Sequence, residues 1–290
     1  MELFNMSRLP KRGFLVLIGG AEDKKEDKII LRRIVNLNAA KNVAVIPSAS
    51  EYPAGLADTY TQAFKEIGVS HVSILDVRRK EEADTPENFE KINNADLVFF
   101  TGGCQVKLVS TLSGTSLLAR IRERNNEGVT VAGTSAGAAA ASNPLLFDGD
   151  NAGLVKGSIN YGKGFGFLDG ITIDTHFVHR GRIGRLAQFL ASGFGNKGIG
   201  IGEDTGIIIS SDYIFEVIGK GIVTVVNTEH CNYNNFHALS DNQPVVLDGV
   251  RVGFLQNGAI FDINKWQVTD SGKTEYFSKL TAQAPSYIGN

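Results

Sequence analysis

Five short, mostly apolar runs constrain the fold of this chain more than any other feature. Gly13 to Ile18, Val43 to Ile46, Val72 to Val77, Leu97 to Phe100 and Val129 to Ala132 are closed by glycine, proline or charge. Runs of this length and composition are what strands buried on both faces of a parallel sheet require. Helical patterns lie between them: Lys28 to Asn36, Leu56 to Ile67, Val106 to Leu112 and Ser116 to Arg124. In the first of these, Ile29, Ile30, Ile34 and Leu37 fall at helical spacing, as an amphipathic helix covering a sheet needs. Strands alternating with helices predict an α/β fold, a doubly wound sheet with right-handed crossovers.

The last third reads differently. Ile199 to Gly202, Gly206 to Ser210, Ile214 to Ile218 and Ile222 to Val226 are closely spaced β-type runs separated by turn residues. They predict added antiparallel strands or hairpins. Gly253 to Leu255 and Ala259 to Ile263 flank Asn257-Gly258, a further hairpin signal. The segment after Lys265 is polar and aperiodic. With no internal repeat and no low-complexity linker, one catalytic domain is expected over residues 1–290, with a core from about 13 to 265 and a polar tail beyond it.

Charge and cysteine usage narrow the classes of function. Twenty-nine basic residues balance 31 acidic ones, which argues against a broad nucleic-acid surface. Two cysteines, Cys104 and Cys231, make no disulfide framework. The apolar run after Lys11-Arg12 is too short for a signal peptide and ends in charge at Glu22-Asp23. No stretch is long and apolar enough to span a bilayer, so a cytoplasmic protein without a membrane partner is expected. Metal-ligand spacing is absent, and no metal or cofactor is expected.

Gly133-Thr134-Ser135-Ala136-Gly137 matches G-x-S-x-G, with a strand-like run before it and small residues, Ala138 to Ala141, after it. This is the pattern of a nucleophile elbow, which lifts a serine hydroxyl out of a strained strand-to-helix corner. A serine nucleophile needs a base. Of His71, His176, His179, His230 and His237, His176 stands at the end of the strand-like alternation Ile171 to Phe177, where open α/β sheets place their sites. His179 reads as a solvated loop residue, His71 as a strand start on the far side, and His230 and His237 as surface residues. The base in turn needs an acid to orient it. Glu203 ends another apolar run, and Asp204 would face the other way. The order serine, histidine, glutamate differs from that of α/β-hydrolases, whose acid would have to come from Asp148, Asp150 or Asp169; Asp148-Gly149-Asp150-Asn151 reads as an exposed turn. For an oxyanion hole, the Ala136 N–H is one candidate donor, and a second lies in Phe99 to Gln105, where a strand ends in two glycines. Arg180, Arg182 and Arg185 follow His176 closely and suggest recognition of carboxylates. Gly193 to Gly198 matches G-x-G-x-x-G but follows a helix and precedes a strand, the reverse of a dinucleotide site; it reads as a helix stop. Cys104 reads as buried or substrate-lining.

Together these motifs resemble the cyanophycinase family, serine peptidases related to bacterial aspartyl dipeptidase (peptidase E). The matching stretches are Ile18 to Lys24, Phe100-Thr101-Gly102-Gly103 with Gln105, Gly133 to Ala138, Asp174 to Leu186 and Gly200 to Thr205, in family order over about residues 13–265. The resemblance implies a flavodoxin-like or class I glutamine-amidotransferase-like fold and a homodimer. It implies exopeptidase hydrolysis of cyanophycin, a poly-aspartate carrying arginine on each β-carboxyl, to β-Asp-Arg dipeptides. Related aspartyl or β-aspartyl peptidases act on other peptides, and an esterase remains the alternative from the residues alone. By the same resemblance Ser135 is nucleophile, His176 base and Glu203 orienting acid; Gly103 and Ala136 donate to the oxyanion. Gln105, Asp174, Thr175, Arg180, Arg182 and Arg185 line the dipeptide pocket, Asp174 being the acid that could pair with the substrate guanidinium. Three positions depart from the family pattern: Cys104 for a common Asp, and Thr175 and His179 for Gln. They bear on which peptide is taken rather than on the serine chemistry.

Overall fold

A computed structural model describes residues 12–149 and 154–269. Strands β1 (Leu15–Ile18), β2 (Asn42–Ile46), β3 (His71–Ile74), β4 (Leu97–Phe100) and β5 (Thr130–Thr134) alternate with helices. These are α1 (Ile29–Leu37), α2 (Pro53–Glu66), α3 (Pro86–Asn93), α4 (Gln105–Leu112), α5 (Ser116–Asn126) and α6 (Ala136–Ala141). Four short strands follow: β6 (Ser142–Asn143), β7 (Leu145–Gly149), β8 (Ile159–Gly162) and β9 (Leu168–Asp169). Then come β10 (Thr172–Thr175), α7 (Ile183–Ala191), β11 (Lys197–Ile201), β12 (Thr205–Ile209), β13 (Ile214–Gly219) and β14 (Val223–Asn227). The described chain ends with β15 (Tyr233–Asn234), β16 (Leu247–Asp248), β17 (Arg251–Leu255), β18 (Ile260–Asp262) and β19 (Gln267–Val268).

The main sheet has nine strands in the order β19-β18-β13-β12-β1-β5-β4-β2-β3. Its half from β1 to β3 is parallel, and β12, β13, β18 and β19 extend it antiparallel. A second sheet runs β10-β11-β14-β17. The period of two along each parallel strand divides the interior into two cores. Leu15, Leu17, Val98, Phe100 and Val131 pack with α4, α5 and α6; Val16, Ile18, Leu97, Phe99 and Ala132 pack with α1 and α2. The chain therefore leaves β1 and β2 toward one face and β4 and β5 toward the other. Two neighbouring pairs, β1 with β5 and β2 with β4, send their following loops apart. Such divergences open crevices beyond the carboxyl ends of strands, where α/β sheets bind ligands.

Several sequence readings are corrected. The strand pair around Asn257-Gly258 is not a hairpin: β17 pairs with β14 in the small sheet, and β18 with β13 in the large one. The turn is a corner at which the chain changes sheets, just as β13 and β14 do. Strand β11 is parallel to β10 rather than wholly antiparallel. Helix α3 was unread, although Thr85 caps it by accepting from Asn88 N–H and Pro86 opens it. Asp148 and Gly149 belong to β7 rather than to a turn; Asp150 and Asn151 lie outside the described residues. Of the two readings of Cys104, the buried one is corrected, since the residue is exposed. Lys265 does not end the fold: Trp266 is buried against Phe261, and β19 follows. The polar segment from Asp270 onward lies outside the described residues. Among those residues no helix is long and apolar enough to cross a membrane.

Candidate active site

Ser135 sits between β5 and α6 with φ 50° and ψ −111°, a backbone conformation that side chains rarely adopt. The turn is held tightly enough that a Cβ on Gly137 would stand 2.4 Å from Phe100 O, so only glycine fits against the end of β4. Ser135 Oγ lies 2.9 Å from His176 Nε2, and His176 Nδ1 lies 2.7 Å from Glu203 Oε1. A carboxylate only accepts, so Nδ1 carries the proton and donates to Glu203, which leaves Nε2 free to accept from the serine hydroxyl.

Three consecutive carbonyls at the end of β1 hold this line together. Ile18 O accepts from Ser135 N–H at 2.9 Å, Gly19 O from His176 N–H at 2.8 Å, and Gly20 O from Asp204 N–H, beside Glu203, at 2.9 Å. Gly20 has φ +98°, and a Cβ there would stand 2.4 Å from the His176 ring. Sequence reasoning took this glycine pair only as the end of a strand and part of a family pattern. Glu22, also unread, is buried behind the elbow. It accepts from Thr134 Oγ1 at 2.6 Å and from the Tyr60 hydroxyl, and Lys24 Nζ lies 3.2 Å away. A buried carboxylate with these partners ties the residue before Ser135 to α2. Two glycines followed by an acid directly after a buried strand were the signal available for both features.

Burial lowers the pKa of His176 from its usual value; the hydrogen bond to Glu203 opposes this, and the Arg180 charge adds to it. The hydrogen bond from His176 lowers that of Glu203. The imidazole is therefore neutral at pH 7 and faces an ionised carboxylate. His179 is exposed, yet it lies beside the same acid: its Nδ1 accepts weakly from Glu203 N–H at 3.5 Å, and Nε2 is 4.0 Å from Oε2. His71 opens the outer strand β3, and His230 and His237 are exposed on the far loops. Asp148 and Asp169 are also exposed; Asp169 accepts from Asn143. Neither replaces Glu203 at the histidine.

Gly102 borders the serine, since a Cβ there would stand 3.4 Å from Ser135 Cβ. Gly103 follows it, exposed, and Ala136 opens α6; neither N–H has an acceptor among the described hydrogen bonds. Gln105 donates through Nε2 to Phe147 O at 3.0 Å, tying α4 to β7.

The arginines divide into two kinds. Arg185 is buried and donates to Asp174 through Nε at 2.8 Å and Nη2 at 2.5 Å. Arg182 Nη1 donates to Asp174 Oδ1 at 3.2 Å and to Thr175 O at 2.7 Å. Asp174 also accepts from Thr175 N–H. Asp174 is thus enclosed by this protein's own guanidinium groups, and breaking such a buried pair costs about 3–5 kcal/mol. The sequence reading has Asp174 open to a substrate guanidinium; the geometry closes it off, because two arginines of α7 and its approach reach it first. Arg180, by contrast, is exposed; its N–H donates to His176 O at 2.9 Å, but its guanidinium makes no ion pair or hydrogen bond among the described residues. Among those residues no group of three or more His, Cys, Asp or Glu is placed to hold a metal ion.

A serine hydroxyl, an imidazole and a carboxylate in line on the carboxyl edge of an α/β sheet define a hydrolase of the serine type. Residues 15–217 match the model of peptidase family S51. A cyanophycinase of Geminocystis herdmanii is 35% identical over 85% of this chain and 92% of its own length. A cyanophycinase of Trichormus variabilis is 34% identical over 86% of this chain and 85% of its own, and one of Synechococcus elongatus 32% over 89% and 81%. A crystal structure of a peptidase from an acI-B1 Actinobacterium aligns with a TM-score of 0.66 at 22% identity, over 88% of this chain and 98% of that one. A putative peptidase E protein from Listeria monocytogenes EGD-e aligns at 0.50 and 19% identity, over 72% and 98%. These two likenesses show the fold, a mixed α/β sheet of the peptidase E type with extra antiparallel strands. The chain belongs to peptidase family S51 and is a serine-type peptidase.

Proposed function

We propose that this peptidase hydrolyses cyanophycin from a chain end, releasing β-Asp-Arg dipeptides through an acyl-enzyme on Ser135. The relatives named cyanophycinase support this substrate. The observation that carries the reading is the joined Ser135–His176–Glu203 line beside the free guanidinium of Arg180. His176 Nε2 takes the Ser135 proton as Oγ attacks the peptide carbonyl. Charge develops on the carbonyl oxygen, and the N–H groups of Gly103 and Ala136 receive it. His176 returns the proton to the leaving amine, then activates the water that releases the acyl group. Glu203 holds the ring and compensates the imidazolium that forms in each step. Arg180 takes a substrate carboxylate, while Arg182, Arg185, Asp174, Thr175 and Gln105 shape the pocket wall.

Incubation with purified cyanophycin and with ordinary aspartyl dipeptides, products being read by mass spectrometry, tests the substrate. β-Asp-Arg is the expected product; cleavage of aspartyl dipeptides alone would refute the reading. The pH profile tests the base. A neutral His176 is required, and its pKa lies below the ordinary 6.5, so kcat/KM holds through neutrality and falls as pH drops below that value. Arg180→Gln removes a nearby cation, raises the pKa of His176 and moves this acid limb to higher pH. A limb that stays in place in the variant would contradict the assignment.

Two free thiols suit a reducing compartment, and we place the enzyme in the cytoplasm as a single catalytic domain. Phe254, 72% exposed on the outer strand β17, and Val252 beside it support a homodimer.

A further inference from the structure

The loop between β2 and α2 lies on the catalytic crest, yet the chemistry above leaves it unused. Its backbone is fixed against the Gly102-Gly103 turn. Cys104 N–H donates to Ala49 O at 2.8 Å, and Gly103 passes so close that a Cβ on it would stand 2.1 Å from the same oxygen. Ser50 N–H donates to Pro47 O at 2.9 Å, Lys107 Nζ to Ser50 O at 3.0 Å, and Tyr52 N–H to Ser50 Oγ at 3.0 Å. From this held backbone two side chains project. Glu51 is exposed, and Tyr52 is 81% exposed. Among the described residues neither side chain makes an ion pair, hydrogen bond or ring contact.

The sheet order sets their distance from the nucleophile. Ser135 follows β5, Gly103 follows β4, and Glu51-Tyr52 follow β2, three neighbouring strands in that order. At strand spacings of about 4.8 Å the ends of β5 and β2, from which Ser135 and this loop leave the sheet, stand roughly 10 Å apart. It also flanks the crevice where the loops of β2 and β4 diverge. On the opposite side of Ser135 lie His176 and the free cation Arg180. Two charged side chains without an ion pair thus flank the serine, Arg180 on the histidine side and Glu51 beyond Gly103, the latter near Lys107, whose Nζ is held on Ser50 O.

We infer that Glu51 and Tyr52 form a lip that reads a guanidinium group of the substrate, an inference that rests on the cyanophycin reading. Each β-aspartyl-arginine unit carries one guanidinium and one free carboxylate, so a free guanidinium at Arg180 on one side and a free carboxylate at Glu51 on the other fix which way the unit lies. A guanidinium is planar: its edge pairs with a carboxylate by charge-assisted hydrogen bonds and its face stacks on an aromatic ring. Glu51 and Tyr52 offer these two surfaces side by side. Asp174, the acid the sequence offers for this task, is closed off by Arg182 and Arg185.

The test compares kcat/KM on a β-aspartyl-arginine oligomer with that on its citrulline counterpart, which has the same shape without the charge. Wild-type protein prefers the arginine substrate. Glu51→Gln lowers this preference about tenfold, chiefly through KM for the arginine oligomer, and Glu51→Lys lowers it further. Tyr52→Ala lowers it roughly threefold. Both positions are exposed, and thermal melts confirm that the variants fold. A preference in Glu51→Lys equal to that of wild type overturns the lip alone, as does a wild type that takes both oligomers equally. A wild type that cleaves neither overturns the lip and the cyanophycin reading together.

Discussion

Replacing Ser135 with alanine is expected to lower kcat by about 10⁶-fold, to the level that binding and the oxyanion donors sustain alone. The size of the loss follows from the geometry. Ser135 Oγ is 2.9 Å from His176 Nε2, so hydroxyl and imidazole act as one unit, and removing the nucleophile leaves the base with no proton to take. The variant should keep its melting temperature, since alanine fills the turn and Ser135 N–H still donates to Ile18 O. It should also retain substrate affinity, because the groups assigned to binding are untouched. Single-turnover assays with the polymer, and labelling of the wild-type serine by a fluorophosphonate, measure the effect. Hydrolysis at wild-type rate in this variant would remove Ser135 from the mechanism.

Glu203→Gln is the second large effect, a fall in kcat of about 10⁴-fold with little change in KM. The carboxylate accepts from Nδ1–H at 2.7 Å, which leaves Nε2 as the acceptor for the serine proton. An amide can instead present its NH₂ to Nδ1. The ring proton then moves to Nε2, and the base faces the nucleophile in the wrong tautomer. The neutral amide also no longer compensates the imidazolium. His179, whose Nε2 is 4.0 Å from Glu203 Oε2, supplies no second carboxylate, and Asp148 and Asp169 do not reach the ring. An undiminished rate would transfer the orienting role to another acid and favour the esterase alternative.

Much of this molecule was legible in its residues. The apolar runs lie within a few residues of β1 to β5; for β1, β2, β4 and β5 this is because a strand buried on both faces has little freedom in composition, whereas β3 is a half-buried edge strand. The small-residue run around Ser135 was equally informative. A turn that brings Gly137 against Phe100 O tolerates no side chain, so its pattern is written locally. The Gly193 stop was readable for the same reason. What failed was pairing. Asn257-Gly258 has a hairpin turn's composition, but which strand lies beside β17 depends on β14, some thirty residues earlier in the chain. The fate of Asp174 failed likewise. An aspartate two residues before a histidine looks available until Arg182 and Arg185 fold back onto it.

The sequence by itself determined the alternation of strands and helices, the elbow and the order of serine, histidine and glutamate. Each depends on local backbone sterics or on burial period, which a few adjacent residues fix. Tertiary structure alone decided that Ile18, Gly19 and Gly20 present three carbonyls in a row to the segments bearing all three site residues. It also decided that Asp174 closes a wall, and that Glu51 and Tyr52 stand on the rim beyond Gly103. These depend on which strands become neighbours, and so on hydrogen bonds and ion pairs between segments far apart in the chain, which no local pattern encodes.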